Sequence, residues 1–165
     1  MATTDNLKAA FAGESQANRR YLAFAKKAEE EGFKNIARIF RAAAESETVH
    51  ALNHLSILGE VKSTKENLEA AAKGESYEFM EMYPKFIEEA EKEKDDNAKR
   101  SFYAANEAEK VHEALYKKAI EGIGKGKDIE KESYFVCSVC GYTMAGKAPD
   151  KCPICGAPKK KFKKI

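Results

Sequence analysis

The stretch ESETVH (Glu45 to His50) returns sixty-two positions later as EAEKVH (Glu107 to His112). The likeness extends upstream, where Phe40, Ala42 and Ala43 recur as Phe102, Ala104 and Ala105. A second echo has nearly the same offset: Gly13-Glu14-Ser15 returns as Gly74-Glu75-Ser76. The chain reads as a helical template used twice. Each copy sets Glu and His at i and i+3, which places both side chains on one helical face.

That face is apolar at both ends. Helical steps join Ile36, Phe40, Ala43, Glu47, His50, His54 and Ile57, and join Ala98, Phe102, Ala105, Glu109, His112, Tyr116 and Ala119. The other two helical segments read alike: Leu7, Phe11, Glu14, Asn18, Tyr21, Ala25 and Ala28, then Leu68, Ala71, Glu75, Glu78, Met82 and Phe86. Such stripes turn toward a core. Glu14, Glu47, Glu75, Glu78 and Glu109 would then be inner carboxylates, and one unpaired buried charge already costs several kcal/mol. Either the carboxyls stay protonated or cations neutralise them. Five carboxylates and two imidazoles suit two metal ions, as in ferritin-like di-iron and di-manganese bundles, with Glu14 and Glu75 as the single glutamates. Duplication pairs Glu14 with Glu75, Glu47 with Glu109 and His50 with His112, whereas Glu78 meets Ala17. A seventh candidate ligand beside a six-ligand set points to a modified reaction. His54 is read as a core or supporting residue, and Glu45 and Glu107 as surface charge.

Composition agrees with a helical chain. Pro84 is the one proline before residue 149, and Ala, Glu and Lys dominate the same region. Helices are expected at about 4–31, 34–59, 64–94 and 96–122. Pro84 is expected to kink the third. Signs of charge nearly cancel, to a net +2, which disfavours a nucleic-acid binder. No apolar run is long enough to span a membrane. The N-terminus lacks signal-peptide character, so a cytoplasmic location is expected. The chain divides into a bundle over 1–122, a glycine-rich, charged linker over 123–133, and a cysteine module over 134–165.

All four cysteines lie in that module, as two C-x-x-C hooks: Cys137 with Cys140, and Cys152 with Cys155. Gly141 and Gly156 close the hooks and permit the positive φ of a tight knuckle. In a reducing compartment this pattern reads as a metal site, and the spacing admits either zinc or a single iron. Tyr134, Phe135, Tyr142, Pro153 and Phe162 are candidates for the module's small core.

Taken with AFAGESQANRRYLAFAKKAEEEGF, GESYEFMEMYP and CSVCGYTMAGKAPDKCPICGAP, the two Glu-x-x-His motifs make the whole chain resemble the rubrerythrin family. The resemblance implies an all-α ferritin-like four-helix bundle followed by a small rubredoxin-like domain of short strands and knuckles. It implies a carboxylate-bridged di-iron centre and one iron on Cys137, Cys140, Cys152 and Cys155. In the family pattern one iron takes Glu14, Glu47 and Glu109 with either Glu78 or His50, exchanged between oxidised and reduced states. The other takes Glu47, Glu75, Glu109 and His112. Tyr21 and Tyr83 match tyrosines beside the family's site.

The implied activity is non-haem peroxidase: hydrogen peroxide reduced to water, with electrons relayed through the rubredoxin-type iron. NADH would supply them through a separate reductase or rubredoxin, as a defence against oxidative stress. A homodimer is implied, and the short connection LGEVKSTKENLE is compatible with halves paired within one chain or swapped between two. Two other functions fit the residues alone. One is a ferroxidase or iron store, which gives no reason for the cysteine site or Glu78. The other is a non-catalytic metal protein with zinc in its tail.

Overall fold

The computed structural model describes residues 2–165. The chain forms two compact units, divided between Lys62 and Ser63. The first is a pair of long helices, α1 (Ala2–Glu30) and α2 (Lys34–Leu58). Gly32, at φ +87°, turns the chain between them. The seam is made of alanines: Ala25, Ala28, Ala37, Ala44 and Ala51 are buried, with Ala37 wholly inaccessible. Small side chains let the two backbones approach closely, and Phe40 packs against the Ala25, Ala28 and Ala37 cluster. Asn18 crosses this seam, donating from Nδ2 to the Ala44 carbonyl at 2.6 Å and to Thr48 Oγ1 at 2.8 Å.

This seam differs from the expected stripe. Ile36 and Ile57, expected to face the core, are exposed, as is Phe86 in the second unit. Helix α2 has two apolar faces. The alanine face pairs with α1, Phe40, Glu47 and His50 lie at the edge of that seam, and Ile36 and Ile57 face away from it.

The second unit begins at Ser63, which caps α3 (Thr64–Tyr77) in a reciprocal capping box with Glu66. Just ahead of Pro84, where a kink is expected, α3 passes into a π-turn, Glu78–Met82, and continues as α4 (Tyr83–Glu93) with Pro84 in its first turn. The Tyr83 N–H donates to the Glu78 carbonyl, five residues back. The wider turn lies just ahead of the proline and accommodates it. Lys94 adopts φ +57° to end α4, and Asp95 caps α5 (Asp96–Gly124) by accepting from the Asn97 and Ala98 N–H groups.

Beyond α5 comes a three-stranded antiparallel sheet, in the order β2 (Thr143–Ala145), β1 (Tyr134–Cys137), β3 (Phe162–Lys164). Val136 pairs with Thr143, and Cys137 with Phe162. Among the described residues no helix is long and apolar enough to cross a membrane.

Candidate metal centres

Each helical unit assembles a carboxylate–imidazole triad of its own. In the first unit, His50 Nδ1 lies 2.9 Å from Glu47 Oε2 and 3.8 Å from Glu14 Oε1. In the second, His112 Nδ1 lies 2.6 Å from Glu109 Oε2 and 3.7 Å from Glu75 Oε1. One candidate donor atom from each residue of a triad falls within 4.8 Å of the others, close enough for one ion. In both triads the nitrogen turned to the carboxylates is Nδ1. The sequence-level duplication is therefore a duplication of geometry.

The aromatic neighbours repeat too. Tyr21, Phe24 and Phe40 stack with centroid separations of 6.3, 6.4 and 5.5 Å, and Tyr83, Phe86 and Phe102 with 6.3, 6.4 and 5.5 Å. Burial pushes the Tyr83 hydroxyl up, and the charges of Glu109, Glu78 and Glu75 add to the rise. Tyr116 responds in the same sense, through burial and then Glu75 and Glu109. It belongs to the expected α5 stripe, and nothing in its residue type or spacing marks it as part of the site.

In the second unit the carboxyls hold their protons more tightly than usual, a state that a bound cation would reverse. Burial raises the Glu75 carboxyl, and the Glu109 charge raises it further. Glu78 is likewise raised, first by burial and then by Glu75, with His112 opposing. Glu78 stands outside the tight triad yet within range of two of its members. It occupies the first position of the π-turn. His54 is half-buried and outside both triads, with Nδ1 shielded from solvent and lacking a partner.

The four cysteines converge in the module. Cys137 Sγ lies 3.8 Å from Cys155 Sγ, Cys140 Sγ 3.5 Å from Cys152 Sγ, and all four fall within 4.8 Å. Gly141 and Gly156 adopt φ +79° and +71°, as the hooks require. Burial acts to raise the Cys137 thiol, but the Val139 and Cys140 N–H groups and the adjoining thiols bring it down to about 7. Burial drives Cys140 and Cys155 upward. A cluster in which one thiol ionises easily and its neighbours resist is the donor set a thiophilic cation completes.

One contact has no signature in the sequence. His112 Nε2 lies 2.9 Å from Thr143 Oγ1, so the module's second strand touches the α5 triad.

Comparison with known proteins matches both parts of the chain. A family model described as Rubrerythrin covers residues 5–120, and one described as the rubredoxin-like domain of rubrerythrin covers residues 135–163. Rubrerythrin-2 of Clostridium acetobutylicum is 38% identical, over 97% of this chain and 95% of that protein. Nigerythrin of Nitratidesulfovibrio vulgaris is 38% identical, over 98% of this chain and 85% of its own. A solved structure of nigerythrin in a fully reduced, all-ferrous state aligns with a TM-score of 0.58 at 37% identity, covering 99% of this chain and 86% of that one.

Proposed function

Since the chain belongs to the rubrerythrin family, we propose that it is a di-iron peroxidase that reduces hydrogen peroxide to water in the cytoplasm. The observation that carries this reading is the pair of matching triads, Glu14, Glu47, His50 and Glu75, Glu109, His112, on a chain that also has four convergent cysteines. In this reading residues 1–122 are the bundle, 123–133 a connector and 134–165 the electron-transfer module.

Glu14, Glu47, Glu75 and Glu109 would hold two irons, with Glu47 and Glu109 shared as in the family pattern, and Cys137, Cys140, Cys152 and Cys155 would hold a third. When bound, the iron pair supplies the two electrons that, with two protons, convert peroxide to two waters. Glu78 offers an anionic oxygen suited to the oxidised ion, and His50 a neutral nitrogen suited to the reduced one. Tyr21 and Tyr83 orient the carboxylates. NADH is the electron source, through a separate reductase or rubredoxin that delivers to the cysteine site. The functional unit is a homodimer. The exposed α2 face bearing Ile36, His50 and Ile57 supports burial against a second helical pair, within one chain or swapped between two.

The test is a pair of variants read for iron per chain and peroxide turnover. Glu78→Ala leaves six ligands, so iron content should stay near wild type while turnover falls. Glu47→Ala removes a bridging carboxylate and should lower iron outright. Full turnover in iron-replete Glu78→Ala would defeat the ligand-exchange reading.

A further inference from the structure

We infer that Thr143 is a positioning residue for His112, through which the cysteine module fixes the orientation of that histidine ligand. The inference rests on the proposed ligand role of His112. It starts from a difference between two triads that otherwise match. Both histidines turn Nδ1 toward their carboxylates. His112 alone has a partner at Nε2 among the described residues, the Thr143 hydroxyl at 2.9 Å. The His112 side chain is 29% exposed and that of His50 51%.

Thr143 suits the task. It is buried, and its backbone is held in β2 opposite Val136. Its hydroxyl lies 2.9 Å from His112 Nε2 and 3.3 Å from the Gly141 carbonyl. Once a metal takes the lone pair of Nδ1, the ring proton sits on Nε2, and the hydroxyl can accept it while donating to Gly141. A hydrogen bond at one ring nitrogen decides which tautomer the other presents. With the proton kept on Nε2, Nδ1 is the nitrogen available to a metal, and it already faces Glu75 and Glu109. Gly141 closes the Cys137–Cys140 hook, so the contact also ties the hook to the triad. A second tie runs from Lys118 Nζ to Glu132 Oε2, at 3.2 Å.

His112 is thereby oriented by a partner of the kind that typically alters metal affinity about 10–100-fold when removed.

The experiment uses the full chain labelled with 15N-histidine, with zinc as a diamagnetic probe. The chain has three histidines, His50, His54 and His112, which simplifies assignment. In wild type, with zinc added beyond the amount that fills the cysteine site, His112 should show a slowly exchanging Nε2–H and Nδ1 bound to metal. Thr143→Val keeps the β-branched shape without the hydroxyl. It should speed exchange of that proton at least about tenfold and weaken zinc at the His112 triad about 10–100-fold, with His50 signals unchanged. Thr143→Ser should restore both. A protected Nε2–H that survives in Thr143→Val, or unchanged zinc affinity there, overturns the proposal. Failure of wild type to bind zinc at Glu75, Glu109 and His112 would instead overturn the metal-centre reading beneath it, and is seen before any variant is compared.

Discussion

Tyr83 and Phe102 keep their ring centroids 6.4 Å apart, the separation that Tyr21 and Phe40 keep in the other helical pair. Yet the chain takes one more step to get there. Tyr83 follows Glu75 by eight positions, whereas Tyr21 follows Glu14 by seven. In a regular α-helix one added residue would turn everything downstream by about 100°. The π-turn Glu78–Met82 absorbs it, so Tyr83 and Phe86 return to the face they share with Phe102.

Deleting Met80, an exposed residue of that turn, should therefore keep the aromatic cluster in register. The helix closes to regular geometry, where Pro84 costs about 3 kcal/mol. Deleting buried Ala72 from α3 rotates the stripe with no turn to absorb the change. Thermal melts followed by circular dichroism should show a lowered Tm with cooperative unfolding retained for the first deletion, and collapse of cooperative unfolding for the second.

Ala37→Leu probes the alanine seam. Ala37 has no accessible surface, so the larger side chain must push α1 and α2 apart. Overpacking of this kind costs about 1–3 kcal/mol. Denaturant unfolding should show that loss, whereas Ile36→Leu on the adjacent exposed position should be nearly neutral.

These two positions also show how far the sequence could be read. The Glu-x-x-His pairs, the single glutamates and the cysteine hooks were legible because residue type and helical spacing together specify them. Which face of α2 meets α1 was not. Ile36 and Ala37 stand next to each other on two apolar faces, and periodicity alone does not separate a wide face from a close-packed one. The π-turn left only a trace, the change of repeat offset from sixty-one at Glu75 to sixty-two at Tyr83. Thr143 was beyond reach, since its contact with His112 depends on docking across thirty-one positions of chain.

Glu75 predicts a pH dependence for the metal-free chain. Its carboxyl is raised above the ordinary 4.5, first by burial and then by Glu109. The folded state thus binds this proton more tightly than the unfolded state does. The resulting stability is full below the unfolded value and is lost as pH rises through the folded one. Gln mimics the protonated form. In chelator, Glu75→Gln should match wild type near about pH 4 and exceed it in stability near about pH 7. With metal restored the order should reverse, because the variant has lost a ligand.

Cys152→Ser separates the two parts of the account. Cys152 is buried within the four-sulfur cluster, and loss of one thiolate should bleach the visible band of the module's iron. Helical content should persist. Turnover driven by NADH and a reductase should collapse, while chemically reduced protein still reacts with peroxide.

The most direct measurement mixes the fully reduced, iron-loaded chain with hydrogen peroxide under anaerobic conditions and, separately, with dioxygen, following iron oxidation by stopped-flow absorbance. A peroxidase predicts stoichiometric oxidation by peroxide that is faster than the reaction with dioxygen, and repeated turnover when NADH and a reductase are supplied. Faster oxidation by dioxygen, with iron accumulating beyond three per chain and no peroxide turnover, would contradict the account and indicate a ferroxidase.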